Sequence, residues 1–161
     1  MINIHRLLLV LSIITLVLPI FSSSSTPEKP EAYYKESTFE KASPSDWIKE
    51  SQIKVYDDKV IIEIKNAEWA KFTDTNSMDP ILDKDTNAIE IIPRSYRDIN
   101  IGDIVSYEIN GVQGIIIHRV IETGFDEKGW FAITKGDNLE STDPFKIRFS
   151  NIKRVVVAVI Y

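Results

Sequence analysis

Ile104-Val105-Ser106-Tyr107-Glu108-Ile109-Asn110-Gly111-Val112-Gln113-Gly114-Ile115-Ile116-Ile117-His118-Arg119-Val120-Ile121 is the stretch from which the fold is read. Two runs rich in β-branched residues flank Asn110-Gly111, a dipeptide suited to a type I′ turn because both central positions of that turn require positive φ. The stretch therefore predicts a β-hairpin, opened by the turn residues Asn100-Ile101-Gly102-Asp103 and delivering His118 from within its second strand. Further strands are predicted from Ile53 to Val55, Val60 to Ile64, Ala67 to Thr73, Ala88 to Ile92, Trp130 to Thr134 and Val155 to Ile160. Helical periodicity is missing throughout this region, so the expected class is mainly β. The run Val155-Val156-Val157-Ala158-Val159-Ile160 is too short to cross a bilayer and reads as a buried strand.

The amino-terminal part reads differently. Leu7 to Phe21 is apolar apart from Ser12, Thr15 and Pro19, with His5 and Arg6 before it and Ser22-Ser23-Ser24-Ser25-Thr26-Pro27 after it. A spanning helix needs roughly 17–25 residues, which Ile2 and Ile4 can help to supply. Residues 1–21 are thus expected to be a signal or membrane-anchor segment, with the basic start on the cytoplasmic side and the rest of the chain outside. The expected location is the cell membrane, single-pass, with an extracytoplasmic domain; the alternative is secretion after cleavage of residues 1 to about 25. Residues 22–50, rich in Ser, Pro, Glu and Lys, have the composition of a flexible linker, with Trp47-Ile48 able to dock locally. Residues 51–161 are left for one folded domain.

Composition narrows the chemistry. A net charge of −5, with acidic and basic residues interspersed, provides no basic stripe for nucleic acid. Cysteine is absent, which removes disulfides and thiolate metal sites. Ligand-type residues do not cluster at metal spacing, and no metal or organic cofactor is expected.

Three fragments concentrate groups capable of nucleophilic catalysis. Thr75-Asn76-Ser77-Met78-Asp79-Pro80 supplies a hydroxyl, His118-Arg119-Val120 an imidazole, and Lys135-Gly136-Asp137-Asn138 a carboxylate. The chain has only two histidines, and the other, His5, lies in the apolar leader. A serine hydroxyl needs a neighbouring base to take its proton, so Ser77 is informative only together with His118. Each fragment alone has a plain alternative: a loop serine with a core methionine, a hydrogen-bonded core histidine, a β-turn.

Taken together these boxes resemble a signal peptidase I of the archaeal and endoplasmic-reticulum type. That group carries a Ser-Met-x-Pro box, a Gly-Asp-[IV]-[VI] box, a His-Arg-Val box where bacterial enzymes have a catalytic lysine, and a Lys-Gly-Asp-Asn box followed by a later aspartate. Here they read Ser77-Met78-Asp79-Pro80, Gly102-Asp103-Ile104-Val105, His118-Arg119-Val120, Lys135-Gly136-Asp137-Asn138 and Asp143, over roughly Phe72 to Asp143. The resemblance implies a small signal-peptidase/repressor-type β-fold and a membrane-associated serine endopeptidase that removes signal peptides from exported proteins. It implies Ser77 as nucleophile, His118 as general base, and an aspartate orienting the imidazole. Asp143 and Asp137 both match acidic positions; Asp143 is the favoured orienting residue and Asp137 the one that shapes the turn. The Ser77 N–H and the Thr75 hydroxyl are the expected oxyanion donors, with Met78 in a positioning part. Lys135 stands in the wrong box for the lysine base of the bacterial enzymes. The implied partners are the extended signal-peptide region of exported proteins and, through the amino-terminal segment, the membrane; the oligomeric state is not addressed by the sequence. This chain departs from the pattern after the serine box, at Ile81 to Asn87, and at Leu139, where relatives have a second asparagine. These departures leave, as the alternative, a specialised or inactive β-domain that binds extended peptides or a membrane partner.

Overall fold

The computed structural model describes residues 42–161, so the expectations for residues 1–21 and for most of the linker lie outside the described residues. Among the described residues there are eight strands and three short 3-10 turns. Strands β1 (Ile53–Val55) and β2 (Val60–Ile62) form a two-stranded antiparallel hairpin. The others are β3 (Glu68–Lys71), β4 (Asn87–Ile91), β5 (Ile104–Tyr107), β6 (Ile116–Asp126), β7 (Gly129–Lys135) and β8 (Ile152–Ile160). They form one antiparallel sheet in the order β3-β4-β8-β5-β6-β7. The mainly β expectation describes this architecture, and among the described residues no helix is long and apolar enough to cross a membrane.

Both faces of the sheet are covered, which explains why the central strands read as continuous apolar runs rather than as alternations. All four residues of β5 are buried. Val105, Tyr107, Val120, Ala132, Ile147 and Val155 belong to a core cluster on one face; Met78, Leu82, Ala88, Ile104 and Val156 belong to a second on the other. Burying a side chain of the Val or Ile kind contributes about 1.5–3 kcal/mol, so the β5–β8 pair anchors the sheet.

Two features differ from the sequence expectation. Asn110-Gly111 does turn the chain, with Val112 N–H donating to the Ile109 carbonyl at 3.0 Å, but only Gly111 has positive φ (87°). The turn is therefore not of type I′, and pairing resumes only at Tyr107↔Ile116, beyond a loop over 108–115. Part of the expected linker also packs on the sheet domain. Asp103, fully buried, accepts from Ser45 N–H (2.7 Å), Trp47 Nε1 (3.1 Å) and Asn100 N–H (2.9 Å), while Trp47 packs against the first core cluster and Gly102 lies against the Ser43 backbone. The packed unit thus includes residues before 51.

Candidate active site

His118 occupies a distinctive place in the sheet. Strand β7 pairs with β6 only as far as Arg119↔Lys135, so at His118 the β6 edge is open and the chain turns away through Gly136 to Leu139. The segment carrying Ser77 docks on that turn. Asn138 N–H donates to the Ser77 carbonyl (3.0 Å), Asn138 Nδ2 to the Asn76 carbonyl (2.9 Å), and Asp137 N–H to Met78 Sδ (3.4 Å). A glycine is required at 136 because a Cβ there would stand 2.5 Å from the Ser77 carbonyl oxygen. Asn76 bends the chain just ahead of the serine in the left-handed region (φ 55°), which asparagine tolerates better than other side chains do. Met78, buried among Leu82, Ala88, Ile104 and Val156, pins the other side of Ser77 to the core. The Asp79–Pro80 peptide that follows is cis.

The imidazole is held from behind. His118 Nδ1 lies 2.9 and 2.8 Å from the two Asp143 carboxylate oxygens. Tyr107 Oη (2.7 Å) and Thr134 Oγ1 (2.6 Å) donate to the same carboxylate. Burial opposes ionisation of Asp143, but the hydrogen bonds from His118, Thr134 and Tyr107 outweigh it and hold its pKa below the ordinary carboxylate value. Burial, together with the Asp143 charge, pushes the Tyr107 phenol far above its ordinary value, so it remains a donor. An ionised carboxylate only accepts hydrogen bonds, which fixes the proton on Nδ1 and leaves Nε2 of the neutral ring as an acceptor.

The two aspartates are divided by their partners. Asp137 forms a two-pronged pair with Arg119, Nε to Oδ1 at 2.7 Å and Nη2 to Oδ2 at 2.6 Å, and Arg119 Nη1 reaches the Gly102 carbonyl at 2.7 Å. It lies away from the imidazole and ties the Gly136–Asn138 turn to β6. Lys135 donates to the Leu139 carbonyl and does not line the cavity that holds Ser77.

Ser77, Thr75, His118 and Asp143 open into one cavity of about 710 Å³. Ser77 Oγ is 3.2 Å from Thr75 Oγ1, and no direct hydrogen bond joins it to His118 in this state. The Ser77 N–H has no hydrogen-bond partner among the described residues. Among the described residues no group of three or more His, Cys, Asp or Glu side chains is placed to hold a metal ion.

The sequence gives Tyr107, Thr134, Arg119 and Asn138 no site role of their own. Arg119 and Asn138 stand in the quoted boxes, so their neighbourhood is a usable signal. Tyr107 and Thr134 carry none, since their role arises only when β5 and β7 bring them to the same carboxylate. The chain matches no protein-family model, no curated protein and no solved structure.

Proposed function

We propose that this protein is a serine endopeptidase of the signal-peptidase kind, cutting the signal-peptide region of exported proteins at the outer face of the membrane. The observation that carries the reading is the His118–Asp143 pair, with Nδ1 engaged at 2.8 Å and the opposite ring nitrogen left as an acceptor, opening into the cavity shared with Ser77. Ser77 Oγ attacks the scissile carbonyl while its proton passes to His118 Nε2, and Asp143 stabilises the imidazolium. The tetrahedral oxyanion receives the Ser77 N–H and the Thr75 hydroxyl. Collapse transfers the Nε2 proton to the leaving amine; water then hydrolyses the acyl-enzyme by the same route in reverse. A signal-peptidase-type β-fold fits the antiparallel sheet, and the exposed apolar side chains Val55 and Val60 of the β1–β2 hairpin suit work near a lipid surface.

Substrate fits as an extended strand between two walls of the cavity, one continuing from β3 through Phe72 and Thr73, the other running through Gly114 and Ile115 into β6. Main-chain hydrogen bonds give such a strand its affinity and side-chain pockets its specificity. The absent Ser77–His118 bond is compatible with catalysis, because nucleophile–base contacts are often loose without substrate and tighten on binding. It equally favours a second reading, a β-domain that holds extended peptides without cutting them. Incubation of the full chain with a signal-peptide reporter separates the two: cleavage that is lost in Ser77→Ala supports the peptidase, whereas peptide binding without cleavage supports the second reading.

A further inference from the structure

The loop over 108–115 leaves two neighbouring groups free to react with each other. Asn110 and Gly111 are exposed at its tip, where one backbone hydrogen bond, from Val112 N–H to the Ile109 carbonyl, closes the turn, and strand pairing resumes only at Tyr107↔Ile116. Neither the Asn110 carboxamide nor the Gly111 N–H has a hydrogen-bond partner among the described residues. Gly111 sits at φ 87°, and a Cβ built on it would meet nothing within 4 Å, so no neighbour crowds the pair. The other described asparagines differ. Asn87, Asn100, Asn138 and Asn151 hold their carboxamides in hydrogen bonds, to Trp69, Ser45, the Asn76 carbonyl and the Glu108 carbonyl in turn. Asn66 and Asn76 are exposed, but the residues after them, Ala67 and Ser77, carry a β-carbon that obstructs the nitrogen Gly111 leaves open.

That pairing has a chemistry of its own. A backbone amide nitrogen that gives up its proton can attack the carboxamide carbon of the residue before it, and glycine offers the least obstructed approach. At Asn110 the Gly111 nitrogen bonds to Cγ, the Cγ–Nδ2 bond breaks, and ammonia departs with the proton, closing a five-membered succinimide. Water then opens either ring C–N bond, giving aspartate or isoaspartate; nothing is oxidised or reduced, and water is the co-reactant. We propose that Asn110 is a site of self-modification, and that its conversion to isoaspartate reshapes the wall of the cavity that holds Ser77 and His118. The product adds a carboxylate to a chain whose net charge is −5, and isoaspartate lengthens the main chain of the loop by one carbon. Gln113, Gly114 and Ile115 of the same loop wall the cavity, and the strands it joins are β5, which carries Tyr107, and β6, which carries His118. The chemistry needs no catalytic act by Ser77, so the proposal stands or falls apart from the peptidase reading.

The test follows mass and then structure. The full chain is incubated in mildly alkaline buffer made with oxygen-labelled water, and its peptides are mapped by mass spectrometry. Conversion at Asn110, read as the mass gain of an amide turned into a labelled acid, should outrun that at every other asparagine, with Asn66 and Asn76 as the exposed controls. Since no hydrogen bond guards the site, its rate in the folded chain should lie within about tenfold of its rate in denaturant. Asn110→Gln, whose ring would need an additional member, should show no gain at this position, and Ser77→Ala should convert at the wild-type rate. Ion exchange then separates converted from unconverted chain, and amide hydrogen exchange over 112–117 should be faster in the converted fraction while that of β8 stays the same. No conversion at Asn110, a rate no greater than at Asn66 and Asn76, or suppression by folding of more than about tenfold overturns the modification site. Loss of conversion in Ser77→Ala overturns self-modification by the turn alone, and unchanged exchange over 112–117 overturns the reshaping of the wall.

Discussion

Asp143 gathers bonds from His118, Tyr107 and Thr134, and its depressed pKa ties stability to pH. A carboxylate whose folded pKa is lowered contributes stability that is present above its unfolded value, about 3.9, and lost as pH falls through the folded one. Unfolding free energies of the wild type and Asp143→Asn, measured by denaturant titration, should therefore differ most above about pH 4 and converge on acidification. The same substitution should lower kcat on the order of 10⁴-fold, because an amide can fix the wrong imidazole tautomer. Tyr107→Phe removes one donor and should cost about 1 kcal/mol. Asp137 behaves differently. Asp137→Ala strands Arg119 in a largely buried position, with an expected destabilisation of up to about 3–5 kcal/mol by chemical denaturation. In the sequence both carboxylates match acidic positions of the resemblance, with Asp143 favoured for orienting the imidazole although Asp137 lies in the more conspicuous turn, only six residues before it. What separates them is which strand edge each meets, and that depends on the β6–β7 register rather than on local composition.

At the scale of elements, the Gly136–Asn138 turn holds the Ser77 backbone, so its geometry should tune the proposed nucleophile without touching its hydroxyl. Gly136→Ala places a methyl against the Ser77 carbonyl oxygen and should lower kcat by roughly 10²-fold, the usual penalty for misplacing a reacting group by about 1 Å. Steady-state kinetics on a signal-peptide reporter reads this, and an unchanged kcat would detach the turn from the site. The strands themselves were legible because β-branched runs are bounded by turn residues. Their pairing order was not, since β8 inserts between β4 and β5 from the far end of the sequence. The Asn110-Gly111 signal marked a real reversal but the wrong turn type. Its two flanks diverge into a loop over 108–115, and part of that loop walls the cavity instead of continuing the ladder.

For the molecule as a whole, residues read as linker contribute to the packed unit. Trp47 has little helical or strand context, and its docking depends on Asp103, buried 56 positions later, which no local pattern announces. Trp47→Ala should lower stability by up to about 3 kcal/mol, measured as a shift in the denaturant midpoint. The central claim is that Ser77 and His118 act as one catalytic unit on a peptide in the shared cavity. It is tested most directly by the kcat of the full chain on a signal-peptide reporter for the wild type, Ser77→Ala, His118→Ala and the double substitution. The account predicts that each single change lowers kcat by on the order of 10⁴–10⁶-fold and that the double change costs no more than either alone. Equal turnover by all four proteins, or losses that simply multiply in the double variant, would contradict it.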